Sequence, residues 1–270
     1  MRDKKVAFIG SGNMAEALIK GILGSGLLPA ASITACDTDP ARLDYFEKTY
    51  GVKTSGDNEE GARSCDVLLL SVKPRDMDRV LTGIRGSVKA SHLVISIAAG
   101  VTLRRLESAL GEGVPVVRAM PNGPALVGRG MTAVSRGASV ADSDMETARE
   151  LLGAAGEVME MGEELMDAVT AVSGSGPAYF FYLVEALAAA ARAAGFSGED
   201  ADRLAAVTAV GSMRWLDETG SSPAGLRDKV TSPGGTTEAA IRTLEEKGFR
   251  ELIADAVDAA IRRSRELGGD

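Results

Sequence analysis

The chain has 270 residues, 45% of them hydrophobic and 25% charged, enough to bury one large core or two ordinary ones. A formal net charge of −8 argues against a general nucleic-acid binder, which needs a basic face to neutralise phosphates. Two cysteines, Cys36 and Cys65, and a single histidine, His92, give neither a disulfide framework nor a histidine-rich metal site, so reduced thiols, a cytoplasmic setting and no metal are expected.

The first segment, "MRDKKVAFIG", carries positive charge but lacks the apolar core of a secretory signal. It leads into a run of short β-like segments: Lys5–Ile9, Ser32–Cys36, Asp66–Val72, His92–Ala98 and Pro115–Met120. Several are continuously apolar rather than alternating, as parallel strands covered on both faces require. Helical patterns lie between them. In "NMAEALIKGILGSG", Leu18 and Ile22 stack four apart, as do Ile19 and Leu23, and Gly24 and Gly26 offer a stop. This β–α–β–α order predicts an α/β fold, a doubly wound parallel sheet of Rossmann type. Gly130–Arg136 and Gly156–Met161 read as further strands that close the domain at about residue 163.

From residue 164 onward the strand signal vanishes, and an all-helical domain is expected over 164–270. The stretch Ala168–Val184 is charge-free but broken by Gly, Ser and Pro, so no membrane span is expected. The helix over Ala178–Ala194 is apolar nearly all round. A helix of that kind is buried on every side, which in so small a domain implies a second subunit and a homodimer or higher homo-oligomer. Further helices follow: one opened by Ser197 and Asp200 and stopped by Gly220, one over Thr236–Lys247, and one over about Glu251–Leu267.

The first turn carries the clearest chemistry. Gly10-x-Gly12-x-x-Ala15 follows the first strand and opens the first helix. The first glycine permits the tight turn, the second lets backbone approach a pyrophosphate at the helix N-terminus, and Ala15 lets the helix pack closely on the sheet. At the end of the second strand, Asp37 is placed to accept hydrogen bonds from a ribose diol and to repel a 2′-phosphate, while Asp39-Pro40 can simply start the next helix. Hydride transfer needs no protein nucleophile, because the cofactor carries the chemistry. His92 stands at the start of its strand, the wrong end for a ligand. The small residues Ala98, Ala99 and Gly100 at a carboxyl end would let a nicotinamide ring lie against backbone. The helix Pro177–Ala194 carries Glu185 and Arg192 but no lysine, which counts against alcohol oxidation and favours reduction of an imine.

The segments "VAFIGSGNMAEALIKG", "LLLSVKP", "VISIAAGVTL", "AVSGSGPAYFFYLVEAL" and "DKVTSPGGTTEAAIRTLEEKGFR" together resemble the pyrroline-5-carboxylate reductases over nearly the whole chain. The last is the most specific. The resemblance implies a Rossmann domain followed by a helical dimerisation domain. It implies hydride transfer from NADPH or NADH to the C=N carbon of L-1-pyrroline-5-carboxylate, giving L-proline, the final step of proline biosynthesis. Carried over by position, the cofactor side is Gly10, Ser11, Gly12, Asn13, Met14, Asn58, Val72, Lys73, Pro74, Ala98, Ala99 and Gly100, beside the Asp37 already noted. The substrate side is Ser232, Gly234, Gly235, Thr236 and Thr237, with the Thr237 hydroxyl reaching the ring nitrogen. Two positions depart from the pattern. Gly123 stands where many members have Thr, and Asp37-Thr38 replaces a polar or basic pair that suits NADP, so NADH use is favoured here.

Overall fold

The computed structural model describes Met1 and residues 3–268. Its strands are β1 (Val6–Ile9), β2 (Ile33–Cys36), β3 (Lys53–Ser55), β4 (Val67–Leu70), β5 (Leu93–Ser96), β6 (Val116–Met120), β7 (Gly130–Arg136) and β8 (Gly156–Glu160). They form one sheet in the order β3-β2-β1-β4-β5-β6-β7-β8. Neighbours pair in parallel from β3 to β6. β7 then runs antiparallel to β6, and β8 parallel to β7. The link from β6 to β7 holds only a short 3-10 turn, Gly123–Val127, too little chain for a parallel crossover.

The helices that alternate with the strands are α1 (Asn13–Gly24), α2 (Pro40–Tyr50), α3 (Asn58–Arg63), α4 (Met77–Ile84), α5 (Leu103–Leu110), α6 (Asp142–Gly153) and the short α7 (Met166–Val169). Every residue of β1, β4 and β5 is buried, because the sheet is covered on both faces. Val6 and Phe8 of β1 belong to a core built with α1, α2 and α6. Ala7 and Ile9 point the other way, into a core built with α3, α4 and α5. The period of two along the strand thus separates two layers of helices. Asp39 caps α2, accepting from Ala41 N at 2.9 Å, with Pro40 in the first helical position.

Two compact units emerge. The first comprises Met1–Ser175 and the chain from Ala260, and the second comprises Gly176–Ala259. The remaining helices are α8 (Gly176–Ala193), α9 (Gly198–Thr219), α10 (Pro223–Lys229), α11 (Thr236–Glu246) and α12 (Phe249–Gly268). The last turns of α12 therefore fold with the sheet. There Ser264 Oγ donates to Asp167 Oδ1 at 2.7 Å, and the buried Arg118 pairs with Glu163 Oε1 at 2.9 Å.

Within the second unit, α8 packs along α9. Ser197 caps α9 by accepting from Asp200 N, and Gly220 ends it in a left-handed conformation. Of α8 only Gly176 and Ala188 are buried in a single chain. Phe180, Phe181 and Tyr182 are 59%, 68% and 74% exposed, so an aromatic face is left without cover. Among the described residues, no helix is long and apolar enough to cross a membrane.

Candidate active site

The turn from β1 into α1 is held from several sides. Gly10 has φ +96, and a Cβ there would lie 2.8 Å from Ser71 O and 2.9 Å from Val72 Cγ1, so only glycine fits. Gly12, the N-cap of α1, is different. Its φ of −75 is ordinary, nothing lies within 4 Å of where its Cβ would be, and no side chain caps the helix. The protein does not require glycine there, but a ligand laid against the backbone would. An uncapped N-terminus with that clearance fits a dinucleotide pyrophosphate.

Gly10, Gly12 and Asp37, named by the motif, and Asn58, Val72 and Lys73, named by the resemblance, line one groove. Thr38, noted beside Asp37, also lines it; Ser71, Asp76, Arg79 and Val80 complete it and were not foreseen. They follow strand ends, at the point where the chain order reverses between β1 and β4. Asn13 and Met14 form the first turn of α1 beside Gly12, and Pro74 follows Lys73. Ser11 does not offer its polar groups to the groove. It is fully buried, its N–H donates to Asp37 Oδ2 at 2.7 Å, and its hydroxyl donates to Cys36 O at 3.2 Å. It shapes the loop instead of meeting the cofactor by its side chain.

Asp37 is itself partly engaged. Beyond the Ser11 bond, its Oδ1 accepts from Asp39 N at 3.0 Å. A carboxylate offers about four acceptor positions, so two remain for a ribose diol. The carboxylate is thereby fixed at the mouth of the groove before any ligand arrives.

After β5, Ala98 and Gly100 are buried and lie outside this groove. Gly100 has φ +75, and a Cβ there would lie 3.0 Å from Gly268 N and 3.1 Å from Ser264 O. Its lack of a side chain is explained by the end of α12, without appeal to a nicotinamide ring. His92 is buried and accepts from Lys89 N at 2.9 Å, a turn-closing role. Burial pushes both Cys36 and Cys65 up to about 12, so they are neutral thiols and poor nucleophiles. No metal-binding cluster occurs among the described residues.

In the second unit, Ser232-Pro233-Gly234-Gly235 forms a tight turn into α11. Gly234 has φ +71, and Gly235 N donates to Ser232 O at 3.0 Å. A Cβ on Gly235 would lie 2.5 Å from Ser232 Oγ and 3.0 Å from Ser232 O. Gly235 is the N-cap, and no side chain caps the helix. The first intrahelical bond is Ala239 N to Gly235 O, so the N–H groups of Thr236, Thr237 and Glu238 precede the ladder. Gly234 N donates to Glu238 Oε2 at 2.8 Å, so a carboxylate already sits on this turn. The half-buried Thr237 occupies the second position of the helix.

Two family models match the chain. One, described as pyrroline-5-carboxylate reductase dimerisation, covers residues 163–267, and one described as NADP oxidoreductase, coenzyme F420-dependent, covers residues 5–100. A pyrroline-5-carboxylate reductase of Synechocystis sp. is 45% identical over 98% of this chain and 98% of its own length. The chain belongs to the pyrroline-5-carboxylate reductase family. A solved pyrroline-5-carboxylate reductase from Coxiella burnetii superposes with a TM-score of 0.91 at 38% identity, covering 98% of each chain. A pyrroline carboxylate reductase from Plasmodium falciparum, solved with NADP bound, superposes with a TM-score of 0.88 at 31% identity, covering 99% of each. The pyrroline-5-carboxylate reductase architecture thus extends through both units of this chain, from the glycine loop after β1 to the turn before α11.

Proposed function

We infer that this chain is an NAD(P)H-dependent oxidoreductase that reduces L-1-pyrroline-5-carboxylate to L-proline. When bound, the reduced nicotinamide supplies the hydride that adds to the C=N carbon. The chain's own residues bind, orient and hold charge. The Gly10–Met14 turn receives the pyrophosphate through the Gly12, Asn13 and Met14 N–H groups and the dipole of α1. Asp37 accepts from the adenosine ribose, and Asn58, Val72, Lys73 and Pro74 shape the same groove. Ala98, Ala99 and Gly100 follow β5 outside this groove, and their cofactor role rests on the family resemblance.

The observation that carries the substrate assignment is the uncapped glycine turn at the start of α11. Its free N–H groups, those of Thr236, Thr237 and Glu238, would hold the substrate carboxylate, while Ser232, Gly234 and Gly235 shape the turn that presents them. Thr237 Oγ1 would hydrogen-bond the ring nitrogen. Hydride addition to a neutral imine leaves a nitrogen anion, so the nitrogen is protonated at or before transfer, and Thr237 orients it or relays a proton from water. The helical segment of residues 164–270 serves as the dimerisation and substrate domain, with the bare aromatic face of α8 covered by a second copy in a homodimer or larger assembly. The N-terminal 163 residues hold the dinucleotide. NADH is used at least as well as NADPH, because the fixed carboxylate of Asp37 faces the position of a 2′-phosphate.

Substrate profiling tests this reading. A cyclic imine that carries the carboxylate should be reduced far faster than the same ring without it. Equal rates on the two rings would leave the α11 turn without its role.

A further inference from the structure

The groove motif leaves one nearby cation unexplained. Arg42 lies on α2, away from the glycine turn in sequence, yet its Nε and Nη2 donate to Ser11 O at 2.8 and 2.6 Å. Nη2 also donates to Glu16 Oε2 at 3.0 Å, in the first turn of α1. The guanidinium stacks against Tyr45 and Phe46, with ring centroids 5.2 and 5.0 Å away. Glu16 is held in turn by Tyr45 OH at 2.7 Å and Tyr50 OH at 2.9 Å, both on Oε1. Burial alone would raise the Glu16 pKa. The hydrogen bonds from Tyr45, Arg42 and Tyr50 outweigh it, so the carboxyl is held below its ordinary range and stays charged.

The consequence lies in one peptide plane. The Ser11 carbonyl and the Gly12 N–H belong to the same trans peptide and point in opposite directions. Asp37 fixes the peptide before it through the Ser11 N–H at 2.7 Å, and Arg42 fixes this one through its carbonyl. We propose that Arg42 is a positioning residue for the cofactor: by holding Ser11 O inside, it turns the Gly12 N–H outward to the pyrophosphate. This rests on reading the groove as the dinucleotide site. Free to rotate, the same peptide would aim its carbonyl, a partial negative charge, at the phosphates.

The test is direct binding of NADH and of ADP-ribose by calorimetry, with thermal unfolding and steady-state kinetics on the same samples. Arg42→Met keeps an apolar side chain of similar length beside Tyr45 and Phe46 but removes every donor and the stacked cation. It should weaken both ligands by roughly tenfold, the scale of one lost charge-assisted hydrogen bond. The KM for the imine should move less than about twofold and kcat at saturating cofactor should be largely kept, since the reacting atoms are not touched. Arg42→Lys keeps a charge beside Glu16 but only a single donor for the carbonyl and should fall between. If Arg42→Met does not fold, Glu16→Gln loosens Arg42 from the other side and should weaken the same two ligands about threefold, a smaller loss of the same interaction. Unchanged ligand affinity in the folded variants, with only the unfolding temperature lowered, would overturn the proposal and make Arg42 a structural clamp. Failure of the wild-type protein to bind ADP-ribose would instead overturn the reading of the groove, and the proposal with it.

Discussion

Replacing Asp37 with Ser should shift cofactor preference toward NADPH. The carboxylate is pinned by Ser11 N at 2.7 Å and Asp39 N at 3.0 Å, so it cannot swing away from an incoming 2′-phosphate. Two unit charges about 6 Å apart repel by roughly 0.7 kcal/mol at the dielectric of water and roughly 2.8 kcal/mol at an effective value near 20. A partly exposed site lies between these limits, and ~1.5 kcal/mol corresponds to about tenfold. The variant also loses the Ser11 bond, which weakens both cofactors alike. The quantity to measure is therefore the ratio of kcat/KM for NADPH to that for NADH, from initial rates at saturating imine. It should rise about tenfold, with NADH efficiency falling in absolute terms. A ratio that stays within twofold, or a wild-type enzyme that already strongly prefers NADPH, would refute the placement of Asp37 at the ribose.

Four further outcomes are expected. Thr237→Val keeps the shape of α11 and removes a hydroxyl, so kcat/KM for the imine should fall about ten- to a hundredfold, the equivalent of roughly 1.5–3 kcal/mol; wild-type kinetics would remove Thr237 from the mechanism. Gly235→Ala places a Cβ 3.0 Å from Ser232 O, and it should raise the inhibition constant of proline and other cyclic carboxylates before it affects cofactor binding. Glu238→Gln keeps an acceptor for Gly234 N but removes the charge that shares the turn with the substrate carboxylate, so KM for the imine should drop about threefold, and a higher KM would argue against that site. Sedimentation should show a dimer or larger species, because Phe180, Phe181 and Tyr182 are 59% to 74% exposed in one chain; a stable, active monomer would contradict this.

Much of the architecture was legible because its signals are local. The continuously apolar strands β1, β4 and β5 are buried throughout, as their sequences require. Gly10-x-Gly12-x-x-Ala15 sits between strand and helix, and Ser197 and Gly220 cap α9 at both ends. Elements with weak local signals were missed. β3 is a three-residue polar edge strand, and it forms because β2 offers it a ladder. α10 is seven residues long, although Ser222 and Pro223 mark its start. The reversal at β7 follows from the short link between the strands read at Pro115–Met120 and Gly130–Arg136, which the expectation of a parallel sheet overlooked. At the site, Gly10, Gly12 and Asp37 followed from the motif and Asn58, Val72 and Lys73 from the resemblance, but the rest of the groove lining and the internal engagement of Ser11 did not. Its bonds to Asp37 and Arg42 span 26 and 31 residues and exist only once β2 and α2 are packed beside the turn. Gly100 shows the same limit: read in sequence as a small residue after a strand, it is also left-handed and packed against the end of α12, a contact only the fold reveals.

The most direct measurement mixes the purified protein with L-1-pyrroline-5-carboxylate and NADH, follows nicotinamide absorbance, and quantifies proline in the same tube. The expected result is oxidation of one cofactor per proline formed, lost when either substrate is omitted and strongly reduced in Thr237→Val. Cofactor oxidation without proline, or no turnover with either NADH or NADPH in a folded oligomer, would contradict the assignment of this chain as a pyrroline-5-carboxylate reductase.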